Sequence, residues 1–353
     1  MFIPYKEFNG KKVLVTGGAG FIGGALIRRL LKNTDAFIVN LDKLGYCSDL
    51  SSIDILNKKY DNHKRYQFTK VDLSNESETF KAIKKSDPDI VFHLAAESHV
   101  DNSISSPKVF IESNILGTFN LLQACLAHYQ EMRMSRKNNF KFHHISTDEV
   151  YGALGPEGFF NEKSCYDPRS PYSASKASSD HLVKAWHHTY GIPVVITNCS
   201  NNFGPWQYPE KLIPVVISNA LNGKKIPIYG DGSNVRDWLY IEDHINGILL
   251  AALKGEIGKN YCIGGEGEQT NIQLVKNICN FLDKNVPISD SYLNQIIYVK
   301  DRPGHDFRYC IDSSLIRNTL GWKPQTDLSI SMPITFQWYI NNQEWCARIK
   351  KSN

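Results

Sequence analysis

The chain has 353 residues, 42% of them hydrophobic, enough to bury one large α/β core plus a smaller lobe, or two domains of ordinary size. Forty basic against 36 acidic residues leave a formal charge of +4, too slight for a nucleic-acid footprint, and the basic stretch 133–141 reads as a solvated loop. No apolar run approaches the length that spans a bilayer, the start lacks a signal-peptide core, and eight dispersed cysteines show no metal-ligand spacing, so a cytoplasmic chain with reduced thiols, no metal and no membrane contact is expected.

In chain order, strands are predicted at 12–16, 37–41, 66–71, 90–94, 142–146 and 194–198, each apolar enough to be covered on both faces. Amphipathic stretches lie between them; in the first, Ile22, Ala25, Leu26 and Leu30 share one helix face. The alternation predicts an α/β fold with a Rossmann-type doubly wound parallel sheet. After about residue 199, loops rich in Pro, Gly and Asn separate shorter elements, which predicts a smaller mixed α/β C-terminal lobe. The expected division is a dinucleotide-binding domain over 1–198, completed by about 236–253, and a substrate domain over most of 199–353.

The first strand runs into TGGAGFIG. Gly17 permits the tight turn, Gly20 lets backbone approach a pyrophosphate, and Gly23 lets helix and strand pack closely. A glycine turn alone is weak evidence, but Asp42 follows about twenty residues on, at a strand end where it can bond ribose hydroxyls. That acid favours NAD, although the following Lys43 softens the exclusion of NADP. Asp72 ends the third strand near the adenine position, and HLAAES (93–98) supplies small residues that let backbone crowd a cofactor.

Tyr172 and Lys176, in SPYSASK, lie one helical turn apart on one face. An ammonium and a nicotinamide charge nearby would lower the phenol's pKa and suit it to proton abstraction. By itself such a pair is more simply a surface feature. STDEVYG, however, puts Thr147, Asp148 and Glu149 at the carboxyl end of a strand, where open sheets build sites. One protonated and one ionised carboxyl there would supply an acid and a base to one substrate.

TGGAGFIG, STDEVYG, YSASK, NNFGP and DRPGH together resemble the dTDP-glucose 4,6-dehydratases of the extended short-chain dehydrogenase/reductase family over nearly the whole chain. Adjacent Asp148 and Glu149 discriminate most: related epimerases generally lack both acids, CDP-glucose dehydratases carry a lysine at the second position, and GDP-mannose dehydratases a serine at the first. The resemblance implies a cycle in which Tyr172 takes the sugar O4 proton as NAD accepts hydride from C4, with Thr147 bonding O4 and Lys176 holding the ribose. Glu149 then removes the C5 proton, Asp148 protonates the departing C6 hydroxyl, and the hydride returns to C6 as C5 is reprotonated. It further places Phe21, Ile22, Leu73, Leu94, Ala95, Ala96, Ser98, Ser113 and Asn202 at the cofactor. Ser98, Asn201, Lys211, Leu212, Pro227, Tyr229, Arg236, Asn271, Arg302 and His305 are implied at the nucleotide sugar. Asn102 stands where the family commonly has arginine, Phe203 where it has tyrosine, and Trp206 is bulkier than expected. A homodimer through helices around 107–129 and 172–190 is also implied. A UDP-glucose 4,6-dehydratase and, further off, a nucleotide-sugar 4-epimerase stay open as alternatives.

Overall fold

The structure is a computed structural model that describes residues 3–60 and 64–351. β1 (Lys12–Thr16) passes through the glycine turn into α1 (Phe21–Asn33). The unit repeats through β2 (Phe37–Asp42), α2 (Ser51–Tyr60), β3 (Tyr66–Lys70), α3 (Glu76–Ser86) and β4 (Ile90–His93). Two short helices, α4 (Val100–Ser105) and α5 (Pro107–Phe110), continue through a π-helical turn at Ile111–Leu116 into α6 (Gly117–Glu131). Then follow α7 (Met134–Lys137), β5 (Lys141–Thr147), α8 (Pro171–Tyr190) and β6 (Val194–Cys199). The elements after it are β7 (Asn201–Phe203), α9 (Leu212–Leu221), β8 (Ile226–Tyr229), β9 (Val235–Tyr240), α10 (Ile241–Lys254) and β10 (Asn260–Ile263). The chain closes with β11 (Glu268–Thr270), α11 (Asn271–Asn285), β12 (Ile296–Val299), α12 (Ser314–Leu320), α13 (Leu328–Asn341) and α14 (Gln343–Lys351).

Seven strands form one sheet in the order β10-β6-β5-β4-β1-β2-β3, and every neighbouring pair is parallel. This is the doubly wound sheet that the β-α alternation predicts. Leu26 and Ile27 of α1 and Ile245 and Ile248 of α10 bury one face of it. Ile83 of α3 and Leu121 and Leu122 of α6 bury the other, against Val39, Val91 and Phe142. With both faces covered, the strands other than edge strand β3 are buried along most of their length, which is why they read as apolar runs. Between β1 and β4 the strand order reverses, and the crevice outside the strand ends there is where open α/β sheets bind ligands.

The smaller lobe holds a three-stranded sheet, β11-β9-β7, and a parallel pair, β12-β8, around a core that includes Phe203, Ile217, Trp238, Leu274 and Phe336. The chain returns to the first sheet through α10, which covers one of its faces, and β10, the edge strand beside β6, while β9 pairs with β7 and β11. One sequence expectation is corrected: a helical stretch, Pro107–Glu131, does reach the length and apolarity of a bilayer span. It packs against α3 and α8, and 56% of its most apolar window is buried inside the fold, so core packing accounts for its composition.

Candidate active site

Gly17 has φ +70°, and a Cβ there would lie 2.7 Å from the Ala95 backbone. Only glycine allows the end of β1 to press against the 94–96 segment. At Gly23 a Cβ would come within 2.3 Å of the Gly17 carbonyl oxygen, so α1 rests directly on the turn. Gly20 is the N-cap of α1 and brings no side-chain cap, leaving the first helical N–H groups directed at the crevice. The cleft that opens here is lined by Gly17, Gly20, Phe21, Ile22 and Gly23, by Asp42, Lys43, Asp72 and Leu73, and by the segment Leu94, Ala95, Ala96 and Ser98. Ser113, Tyr172, Lys176 and Asn202 complete the set expected at the cofactor.

Asp42 Oδ2 accepts the Ala19 N–H at 3.0 Å, and Oδ1 accepts from Leu44 N (2.8 Å) and Ser48 Oγ (3.1 Å). Burial pushes this carboxyl upward, against the pull of those donors. The Lys43 ammonium, which from sequence softened the case against NADP, is engaged by Glu97 at 2.6 Å and Ser113 Oγ at 2.7 Å. Asp42 therefore lines the cleft without a free cation from Lys43 beside it, which fits NAD. Buried Oδ1 atoms of Asn201 and Asn202 have no protein partner and suit a polar ligand at the nicotinamide end. The cradle and these orphan acceptors fit a dinucleotide.

Ser170 opens α8 with a capping box through Ser173, and Pro171 follows at the first helical position. Tyr172 is thereby fixed in the first turn and Lys176 one turn on, both buried. Lys176 Nζ donates to the Ile145 carbonyl at 2.9 Å. The expected lowering of the Tyr172 pKa is not met by the chain's own groups. Burial, then Glu149, Cys199 and Asp148, push the phenol well above its ordinary range, and hydrogen bonding with Thr147 only partly opposes them. Lys176 is itself pushed down by burial, with Asp180 and Cys199 opposing.

β5 ends at Thr147, whose Oγ1 donates to Asp148 Oδ1 at 3.2 Å and accepts the Glu149 N–H at 3.3 Å. Asp148 is 1% exposed, and its Oδ2 has no partner. Burial first, then Glu149 and Asp237, raise it well above the carboxylate range. Glu149, partly buried, is also raised by burial, but Arg302, Arg236 and Lys211 pull it back. The two adjacent acids are therefore set apart by environment: both are raised, Asp148 strongly, while three cations oppose the rise at Glu149.

Ser98, Thr147, Asn201 and Lys211 line the same cleft, where Lys211 Nζ donates to the Ser98 carbonyl at 3.0 Å. Leu212, Pro227, Tyr229, Arg236, Asn271, Arg302 and His305 do not line it and belong to the smaller lobe. Arg236 is buried, stacks 4.5 Å over the Tyr309 ring, and donates to the carbonyls of Val235, Phe307 and Asp306. Arg302 meets Asp101 at 3.5 Å, and His305 bonds Asp301 and packs edge-on to exposed Tyr229. Leu212 borders the apolar core, exposed Pro227 lies on β8, and the Asn271 N–H is bound by the Asn234 carbonyl.

Other residues of the site were not singled out from sequence. Asn114, buried in the π-turn, exchanges hydrogen bonds with the Glu97 backbone and donates to Ser175 Oγ at 2.8 Å, tying the 94–98 segment to α8. Tyr46 OH donates to Glu210 at 3.1 Å and accepts from Asn102 Nδ2 at 3.2 Å, joining two loops to α4. Asn102 thus makes a contact of its own where the family commonly has arginine. Trp206 (φ +73°) packs with Trp338 and Trp345 at ring separations of 4.9 and 5.3 Å, which occupies its added bulk.

The sequence model of the family described as GDP-mannose 4,6 dehydratase matches residues 14–332. The dTDP-glucose 4,6-dehydratase of Salmonella typhimurium is 49% identical over 348 residues, covering 96% of this chain and 95% of that protein. Its counterpart in Neisseria meningitidis serogroup B is 50% identical over 344 residues, covering 96% of each. Among solved structures, DesIV (dTDP-glucose 4,6-dehydratase) from Streptomyces venezuelae, with NAD and TYD bound, superposes with a TM-score of 0.86 at 38% identity, over 96% of this chain and 99% of that one.

Proposed function

The chain belongs to the family described as GDP-mannose 4,6 dehydratase, and from that membership we propose that it dehydrates dTDP-D-glucose to dTDP-4-dehydro-6-deoxy-D-glucose with tightly bound NAD. It is a hydro-lyase. The observation that carries the reading is the adjacent pair of buried Asp148 and partly buried Glu149, set apart in proton affinity at the end of β5 and in electrostatic reach of Tyr172. A 4-epimerase would give those two carboxyls no task.

NAD, held by the glycine turn, Asp42, the 94–98 segment and Asn202, supplies the hydride acceptor for C4 and the donor for C6. Tyr172 accepts the O4 proton, assisted by the hydroxyl of Thr147 and the charge of Lys176. Glu149, held toward its ionised form by Arg302, Arg236 and Lys211, removes the C5 proton that the new ketone acidifies. Asp148, which retains its proton, delivers it to the departing C6 hydroxyl, water leaves, and C5 regains a proton when C6 is reduced. Residues 1–198 with the returning α10 and β10 form the NAD-binding domain, and the remainder of 199–353 binds the nucleotide sugar. There Asn201, Lys211, Leu212, Pro227, Tyr229, Arg236, Asn271, Arg302 and His305 hold the substrate, the cations on its diphosphate. The protein acts as a cytoplasmic homodimer; eight unpaired thiols support the compartment, and exposed Ile104, Val109, Ile111 and Leu116 support the interface.

The test is incubation with dTDP-glucose and with UDP-glucose, following the alkaline absorbance of the 4-keto product; no product from dTDP-glucose defeats the reading. Glu149→Gln should still reduce the bound cofactor yet release no 4-keto-6-deoxy sugar. Undiminished dehydration by that variant removes Glu149 as the C5 base.

A further inference from the structure

Asp180 lies on α8, one helical turn beyond Lys176 and two beyond Tyr172, and its side chain is fully buried. Oδ1 meets His144 Nε2 at 3.0 Å. Oδ2 accepts from Ser146 Oγ at 2.9 Å, Tyr166 OH at 2.8 Å and Asn198 Nδ2 at 3.2 Å. Those partners come from β5, from the loop before α8 and from β6. Asn198 Nδ2 also donates to the Thr147 carbonyl at 3.1 Å, while Lys176 Nζ holds the Ile145 carbonyl at 2.9 Å. The helix that carries Tyr172 is thus bound to the same two strands whose ends deliver Thr147, Asp148, Glu149 and Asn201.

A buried carboxylate with four donors is stable as an anion, whereas an unpaired one would take up a proton. Among the described residues Lys176 has no carboxylate at ion-pair distance, so its counter-charge must act through space. The groups that face it are His93 from β4, His144 from β5, Cys199 from β6, and Tyr172 and Asp180 on its own helix. Facing Asp180 besides these are Tyr151 and Tyr166. Burial drives His93 well below its ordinary value and His144 down to about 4, so neither imidazole is charged at neutral pH. Burial also raises the Cys199 thiol to about 12. Asp180 is the remaining anion. Burial pushes it upward, but the His144 bond, the charge of Lys176 and the Ser146 bond hold it below the usual range.

We propose that Asp180 is a positioning residue for the reaction: its buried carboxylate, fixed by His144, Ser146, Tyr166 and Asn198, is the counter-anion that keeps the Lys176 ammonium charged beneath the cleft. It acts through Lys176 and touches neither substrate nor cofactor. The inference deepens the dehydratase reading and rests on it for the identity of the step it serves.

The experiment compares wild type with Asp180→Asn, which keeps the shape and most of the hydrogen bonding while removing the charge. Wild type is first assayed for 4-keto product from dTDP-glucose, which decides the function reading by itself. The rate of the first cofactor reduction is then followed in single turnovers as pH rises. Loss of the anion lets Lys176 deprotonate earlier, so the alkaline limit should move down by about one pH unit or more. The reduction rate near neutral pH should fall by roughly tenfold with KM for the sugar unchanged. A variant that folds, binds NAD and keeps the wild-type alkaline limit overturns the proposal. A second measurement depends neither on that variant's folding nor on turnover: nitrogen NMR of the His144 ring in the unaltered protein. A protonated Nε2 is expected, donating to an anionic Asp180. An unprotonated Nε2 would require the carboxyl to carry the proton, and would equally overturn the proposal.

Discussion

Replacing His244 with phenylalanine should make the protein markedly more tolerant of acid. His244 lies on α10 with no exposed surface, neither ring nitrogen has a hydrogen-bond partner, and burial drives its pKa down to about 3. In the unfolded chain it returns to about 6.5. The folded pKa is depressed, so below about pH 6.5 the unfolded state binds the extra proton and stability is lost as pH falls; above that value the contribution is intact. Each unit of pH in this window is worth about 1.4 kcal/mol, so between about pH 6.5 and pH 5 the wild type loses about 2 kcal/mol through this one side chain. Asp42, Asp148 and Asp237 have raised pKa values and move absolute stability in the opposite sense, but they are common to both proteins and cancel in the difference. Phenylalanine forfeits no hydrogen bond, and any misfit adds an offset independent of pH. Urea unfolding of both proteins from about pH 7.5 to pH 5 should show the variant gaining about 2 kcal/mol relative to wild type. Parallel stability curves across that range would refute the assignment of a neutral, unpartnered imidazole.

Two further substitutions probe the cofactor cleft. Gly23→Ala puts a methyl group 2.3 Å from the Gly17 carbonyl oxygen. It should cost about 1–3 kcal/mol and abolish the rise in melting temperature on adding NAD; an undiminished rise would contradict the close helix-on-turn contact. Trp345 Nε1 donates to Asp49 Oδ2 at 2.8 Å, fastening α14 to the loop after β2. Trp345→Phe should remove about 1 kcal/mol of that attachment and speed the escape of bound NAD roughly fivefold, read by competitive chase; an unchanged release rate would mean the loop is held by other contacts.

The parts of the site that were legible in the sequence are those that local order dictates. A glycine turn between strand and helix, an acid at the next strand end, and Tyr172 and Lys176 one helical turn apart carry their geometry in their spacing. The residues expected at the cofactor accordingly share one cleft. Strand existence was also legible, because strands covered on both faces must be apolar throughout. The last strand of the first sheet was not legible, because β10 is four residues long and its partner β6 lies some sixty positions away.

What only the tertiary structure decided are the electrostatics and the long-range ties. Asp148 and Glu149 stand side by side in sequence, yet their proton affinities part because one is sealed from water beside Asp237 while the other faces Arg302, Arg236 and Lys211 from the smaller lobe. The chain's own groups push Tyr172 upward for the same reason: burial and two carboxyls act on it, which its spacing from Lys176 could not show. Asp180 and Asn114 looked like ordinary polar residues on helices until the fold brought them to β5, β6 and the 94–98 segment. Spacing along a chain fixes geometry within a turn or two of backbone, whereas proton affinity depends on solvent exclusion and on charges that arrive from distant segments.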